Sequence, residues 1–262
     1  MDPHSHVVES LHPFRQLVMD GMALAGRKHS IHGIVQVDIH DTRERMVRIK
    51  ESTGQSLSLT GFIAHCCAKA VDEDKHVHGY FDWRGRLVMF DDVDISLPVE
   101  RSQDGHPVVL QTVIRAANRK TVWQIHDEIR ALQAKELGET PWGRWLRWYV
   151  LVPRFVRGLF FRVVARFPTI LKQFNGTVLV TSIGMFGTRA GWGVPLPGHT
   201  LAITIGGIES KPVLSGGSLE NREHLCLTVS FDHDIVDGGP AARFVQRFSD
   251  YVEQGSGLDS AP

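Results

Sequence analysis

The sequence predicts an α+β fold built around a mixed β-sheet. Helical and strand-like patterns are interspersed without the regular βαβ alternation of a parallel α/β protein, and the last third of the chain is mostly strand-like. No linker and no internal repeat divides the 262 residues, of which 42% are apolar. We therefore expect one domain over residues 1–262, beginning with a short tail over residues 1–12.

The elements follow from periodicity. Apolar residues recur at helical spacing in four early segments, at residues 13–28, 42–51, 60–74 and 120–137. Thr60 is the expected N-cap of the third helix. β-Branched and apolar runs predict strands at 31–39, 93–100, 108–115, 177–181, 200–206, 212–214 and 225–230, with a hairpin at 80–86. Asp104 and Gly105 form a frequent turn pair, and a closing helix begins near Pro240.

Composition excludes several classes of function. The formal net charge is zero, which gives no general attraction for nucleic acid. The three cysteines lie in predicted core elements and lack the spacing of a zinc site, and the 14 histidines are scattered, so we expect reduced thiols and no metal. The N-terminus lacks the features of a secretory signal, which predicts a cytoplasmic protein.

A polar turn near the C-terminus places His233 and Asp237 four residues apart. The turn lies between a predicted strand and a predicted helix, where a backbone can present an imidazole to a cleft. Histidine is the usual general base for a thiol or hydroxyl because it titrates nearest neutrality. The alternative is an ordinary surface turn in which an aspartate satisfies the histidine.

A second segment, residues 176–187, places two hydroxyl residues at the end of a strand. A β-branched run leads to Thr181 and Ser182 and is followed by glycines. Adjacent strand residues point to opposite faces, so the two hydroxyls lie in different environments.

Together these segments resemble the catalytic core of the acyltransferase subunits of 2-oxoacid dehydrogenase complexes, within the chloramphenicol acetyltransferase-like superfamily. In that family the two segments have the sequence patterns S/T-x-x-G and D-H-R-x-x-D-G. Residues 30–38 and 92–99 are similar to two further family strands, and the resemblance spans roughly residues 12–254. It implies the superfamily's two-layer fold around a mixed sheet.

The resemblance also implies a mechanism. An acyl group moves between coenzyme A and an acceptor, with His233 as general base and Thr181 donating a hydrogen bond to the oxyanion. Ser182 is the neighbouring hydroxyl and the weaker candidate for that donor. Asp237 would hold the turn through a buried ion pair with an N-terminal arginine, for which Arg15 is the candidate. Gly238 would let the chain leave the turn without a Cβ clash. No covalent acyl-enzyme is required, because the acceptor attacks the thioester directly.

The resemblance further implies a homotrimer whose active site lies between subunits. The chain shows no lipoyl domain and no covalently attached lipoyl group, so the acceptor is expected to be a small molecule or a lipoylated partner protein, reacting through a thiol, hydroxyl or amine. The polar C-terminal residues predict a closed trimer of about 88 kDa rather than a cage. Asp234 replaces the family's arginine after the histidine. A non-catalytic scaffold or ligand-binding protein that keeps the fold is the alternative function.

Residues 141–172 stand where the family has a short polar connection. This insertion is rich in aromatic residues and arginine, and residues 140–208 contain no Asp or Glu. Three interpretations are open: the insertion packs on its own domain, it lines an acceptor pocket, or it contacts a membrane surface.

Overall fold

A computed structural model describes residues 13–103, 106–134, 148–149, 151–184 and 189–259. In these residues the helices are α1 Pro13–Ala25, α2 His40–Thr53, α3 Leu59–Glu73, α4 Val122–Ala134, α5 Arg154–Val164, α6 Pro168–Asn175 and α7 Gly238–Glu253. The strands are β1 Ser30–Asp38, β2 Tyr80–Phe81, β3 Leu87–Val88, β4 Ile95–Gln103, β5 His106–Ile114, β6 Val178–Ser182, β7 Leu201–Ser215 and β8 Ser218–Asp232. The predicted tail 1–12, the turn at 104–105 and residues 135–147 lie outside the described residues.

Six strands form one sheet in the order β1-β8-β7-β6-β4-β5. The pairs β4/β6 and β6/β7 are parallel, and the other pairs are antiparallel. The sheet is therefore mixed, which confirms the predicted α+β fold. Strands β2 and β3 form a separate small hairpin, in the region where the sequence predicts one.

One face of the sheet packs against helices α3, α4 and α7. Val180, Ile203 and Val229 point into this layer and are fully buried, together with Phe244 and Phe248 of α7. Because side chains alternate along a strand, the intervening residues point to the opposite face. The polar end of β8 and the start of α7 thus come off a rigid, well-packed core.

Two local predictions need correction. The predicted strand at 212–214 is the continuation of β7, which passes through a bulge between Ile205 and Ile208 and pairs with β8 as far as Ser215. The outer part of the β7–β8 hairpin extends away from the core, so few of its residues need to be apolar. The apolar pattern that predicts a strand is therefore weak there. Helix α3 is capped by Ser58 rather than Thr60, since the Ser58 hydroxyl accepts a hydrogen bond from the Gly61 amide at 3.3 Å.

The described part of the insertion packs on α1 through a buried ion pair. Arg157 of α5 is buried, and its Nε lies 3.1 Å from Oδ2 of Asp20. The Tyr149 hydroxyl donates to the same carboxylate oxygen at 2.6 Å, and the Arg157 guanidinium lies 4.8 Å from the Tyr149 ring centre. Among the residues that the structure describes, no helix has the length and apolar character needed to cross a membrane.

Candidate active site

The turn that carries His233 is fixed on both sides. The His233 amide donates to the His29 carbonyl at 2.7 Å, and the amides of Ile235 and Val236 donate to the Asp232 carbonyl at 3.0 Å each. The buried Asp232 carboxylate accepts a hydrogen bond from Lys28 Nζ at 2.6 Å. The end of β8 is thus tied to the segment preceding β1, and the position of His233 is set by the backbone.

The His233 side chain is available to a ligand. It is 45% exposed, and its Nδ1 lies 3.9 Å from Oδ1 of Asp237. Within the described residues its ring makes no closer polar contact. An imidazole on a rigid turn with one carboxylate nearby is the arrangement expected of a general base.

Two predicted supports of this turn differ in the structure. The Asp237 side chain is 84% exposed, and within the described chain no ion pair joins it to Arg15, which is itself exposed. The predicted buried pair is therefore absent from a single chain. Gly238 is the first residue of α7, its φ is not positive, and a Cβ there would meet nothing within 4 Å. The predicted need for glycine at this position is wrong, because the chain enters a helix there with open space around it.

Asp234 has a hydrogen-bond partner, His29, that the sequence does not predict. Its Oδ1 lies 2.9 Å from Nδ1 of His29, and this hydrogen bond raises the pKa of His29. Asp234, which stands where the resembling family has arginine, is therefore engaged by His29 rather than by His233. The two residues are 205 positions apart, and no local pattern connects them.

The two hydroxyl residues of β6 point in different directions, as expected. Thr181 pairs in register with Thr204 of β7, which in turn pairs with Thr228 of β8. These three threonines lie on the face of the sheet opposite to α3. Ser182 instead lines a cavity of about 420 Å³ together with residues of the first turn of α3 and Arg189.

That cavity has positive character. The N-terminal turn of α3 carries the positive end of the helix dipole, and Arg189 adds a guanidinium. Arg189 is held there because residues 189–191 cross the bulge in β7 closely. A Cβ on Gly206 would lie 2.1 Å from the Gly191 carbonyl oxygen, and a Cβ on Gly207 would lie 2.4 Å from that of Arg189. No local pattern predicts this cavity, because its lining comes from four segments that are distant in the sequence.

A single chain does not bring His233 and Thr181 together. In register, Thr181 is two strands from Thr228, and His233 lies five residues beyond Thr228. With about 3.3 Å per residue and about 4.8 Å between strands, the two Cα atoms are about 19 Å apart. Their side chains cannot span that distance. The described residues also contain no group of three or more His, Cys, Asp or Glu that could hold a metal ion.

A known protein family matches most of the chain. Residues 3–139 and 171–258 match the 2-oxoacid dehydrogenases acyltransferase (catalytic domain) family, and residues 140–170 fall between the matched intervals. The chain is 22% identical over 209 residues to the probable dihydrolipoyllysine-residue succinyltransferase component of the mitochondrial 2-oxoglutarate dehydrogenase complex of Schizosaccharomyces pombe. This match covers 78% of the chain but 39% of the yeast protein, so the chain spans about two fifths of that relative.

Solved structures share the fold. A probable dihydrolipoamide acetyltransferase from Listeria monocytogenes superposes with a TM-score of 0.72 at 19% identity, covering 98% of each chain. The Azotobacter vinelandii dihydrolipoamide acetyltransferase superposes with a TM-score of 0.71 at 18% identity, covering 98% of this chain and 96% of its own. The match to the family takes in both sides of the insertion and well over half of the residues. This chain therefore belongs to the 2-oxoacid dehydrogenase acyltransferase family, whose catalytic domain it contains.

Proposed function

We propose that this protein is a coenzyme A-dependent acyltransferase in which His233 is the general base and Thr181 is the oxyanion donor. The observation that carries the proposal is the half-exposed imidazole of His233 beside Asp237, on a turn at the end of β8 whose backbone is fixed by hydrogen bonds. Family membership supplies the reaction class, because relatives such as the yeast protein are dihydrolipoyllysine-residue acyltransferases.

The spacing of the candidate residues supports their roles. The Azotobacter vinelandii structure was solved to define the catalytic roles of a serine, a histidine and an asparagine, which are separated by 52 and 4 positions. Thr181, His233 and Asp237 have the same two separations. Threonine keeps the hydroxyl of the serine, and aspartate keeps a side-chain oxygen at the place of the asparagine.

The chemistry needs no covalent enzyme intermediate. The acceptor's thiol, hydroxyl or amine attacks the thioester carbonyl while His233 takes its proton, and the resulting oxyanion accepts a hydrogen bond from the Thr181 hydroxyl. Collapse of the tetrahedral intermediate expels the coenzyme A thiolate, which receives the proton from His233. A positioned base contributes about 10² to 10⁴ in rate, and one oxyanion donor contributes about 10² to 10³.

The site would be shared between copies of the chain. The separation of about 19 Å within one chain requires that His233 of one copy meet Thr181 of the next. A heterologous contact forms a closed ring when its rotation divides a full turn evenly, and we propose the three-fold case, a homotrimer. The acceptor is either the dihydrolipoyl group of a partner protein or a small molecule.

The test is acetyl transfer from acetyl-CoA to dihydrolipoamide, followed by mass spectrometry of coenzyme A and S-acetyl-dihydrolipoamide. Hydroxyl and amine acceptors are assayed in parallel by release of the coenzyme A thiol. His233→Ala should lower the rate by at least about 10³. The matched control is His76→Ala, since His76 is also exposed and lies 3.5 Å from Asp74. Equal rates for the two variants, or no transfer by the unmodified protein to any acceptor, would favour a non-catalytic scaffold instead.

A further inference from the structure

Helix α5 differs from an ordinary surface helix because it buries an arginine and exposes several large apolar side chains. Its one buried residue is Arg157, which faces α1 and pairs with Asp20. Phe155 and Leu159, on the other side of the helix, are 78% and 59% exposed. In a helix that only packs on its own domain, the apolar stripe faces the core and the charges face water.

The exposed apolar side chains of α5 share one arc of the helix. At about 100° per residue this arc spans about 140°, from Phe155 opposite Arg157 to Phe160 at about 60° from it. Helix α6 and the residues before α5 also expose large apolar side chains: Phe174 is 61% exposed and Trp148 is 71% exposed. We call this set the apolar surface; it comprises Trp148, Phe155, Leu159, Phe160, Val163 and Phe174. Large apolar side chains exposed in this number are typical of an interaction site.

The charged side chains of this part of the sequence have one sign. Residues 140–208 contain no acidic side chain, and Arg162 and Arg166 are exposed next to the apolar arc. In a two-fold contact of this surface with itself, these arginines would face each other and repel, and a contact with a different face of a second copy is an outcome of the test below. An anionic lipid surface instead suits both the arginines and the apolar side chains, because its headgroups pair with arginine and phenylalanine packs among its acyl chains.

We propose that helices α5 and α6 lie on the surface of an anionic membrane, with the apolar surface inserted below the headgroups and Arg162 and Arg166 at the phosphate level. The buried pair of Arg157 with Asp20 is what holds α5 in this orientation on the domain. The interaction is independent of the proposed acyl transfer, so vesicle binding can be measured whether or not the enzyme assay succeeds.

The experiment is co-sedimentation of the full chain with vesicles of phosphatidylcholine alone and of phosphatidylcholine mixed with phosphatidylglycerol. We expect binding to the mixed vesicles and little to the neutral ones. The double variant Phe155→Ser/Phe160→Ser should bind at least about tenfold more weakly. Its matched control is Leu214→Ser/Leu219→Ser at the tip of the β7–β8 hairpin, where the two leucines are 71% and 75% exposed. The control should bind like the unmodified protein.

The arginines give a second readout. Arg162→Gln and Arg166→Gln should each weaken binding to the anionic vesicles about fivefold, without altering the melting temperature. Absence of binding to any vesicle overturns the proposal. It is equally overturned if the serine and control variants lose binding alike. Dissociation of an oligomer by Phe155→Ser/Phe160→Ser, without vesicle binding by the unmodified protein, would assign the apolar surface to a second copy of the chain.

Discussion

Replacement of Arg157 should reveal how firmly the insertion is attached to the domain. The Arg157 side chain is 8% exposed and that of Asp20 is 5% exposed, and their closest atoms are 3.1 Å apart. Arg157→Ala leaves the Asp20 carboxylate buried without this cation. Removing one partner of a buried pair costs about 3–5 kcal/mol of the free energy of unfolding. In a domain of this size, that loss lowers the melting temperature by about 6–20 °C.

Arg154 provides the matched control. Its Nε lies 3.9 Å from the same carboxylate, but its side chain is 71% exposed. A solvent-screened pair of this kind contributes about 0–1 kcal/mol, so Arg154→Ala should change the melting temperature by no more than about 4 °C. The two substitutions remove the same side chain from the same helix and differ mainly in burial.

The measurement combines thermal unfolding with hydrogen exchange of the α5 amides. If the cost exceeds the free energy with which α5 docks on α1, the helix detaches locally, and exchange in α5 increases before the domain melts. A lower melting temperature or faster exchange of the α5 amides would distinguish Arg157→Ala from Arg154→Ala. Equal effects of the two variants on both melting and exchange would refute the reasoning that the buried pair holds the insertion.

The remaining predictions concern the site and pH. Thr181→Ala should lower acyl transfer by about 10² to 10³ with an unchanged melting temperature, whereas Ser182→Ala, on the other face of β6, should have less than a tenth of that effect; the reverse order would assign the donor to Ser182. Asp237→Ala should change the melting temperature of the dissociated single chain by less than about 2 °C, because the carboxylate is 84% exposed there, and a larger change would contradict that exposure. Burial lowers the pKa of both His78 and His199 to about 4, against 6.5 when exposed. These histidines are neutral when folded and take up protons when unfolded, so their stabilisation is complete above about pH 6.5 and is lost towards pH 4, by about 1.4 kcal/mol per pH unit for each histidine. Urea unfolding at a series of pH values, with and without His78→Asn, measures this slope, and an identical slope in the variant would contradict it.

The sequence predicts those parts of the fold that depend on a local, periodic pattern of residues. The C-terminal half of strand β8, the turn at His233 and helix α7 are predicted from it, because an apolar run, a polar turn and an amphipathic pattern follow one another. The alternation of β strands likewise predicts that Thr181 and Ser182 face different surroundings.

Other features depend on contacts between distant segments. The pairing of His29 with Asp234 and the burial of Arg157 against Asp20 join residues far apart in the chain, and nothing in the neighbouring sequence marks either one. An arginine within an aromatic helix even suggests the opposite, namely that the charge faces water. The predicted burial of Asp237 was taken from the resembling family, and exposure within a single chain could not be inferred from the motif alone.

The central claim is that His233 and Thr181 act across two copies of the chain. The most direct test mixes two inactive variants, His233→Ala and Thr181→Ala, by unfolding and refolding them together in equal amounts. Each shared site needs the histidine of one copy and the threonine of the next, so random assembly restores about a quarter of the unmodified activity. If both residues acted within one chain, every chain would lack one of them, and the mixture would be no more active than the average of the two variants.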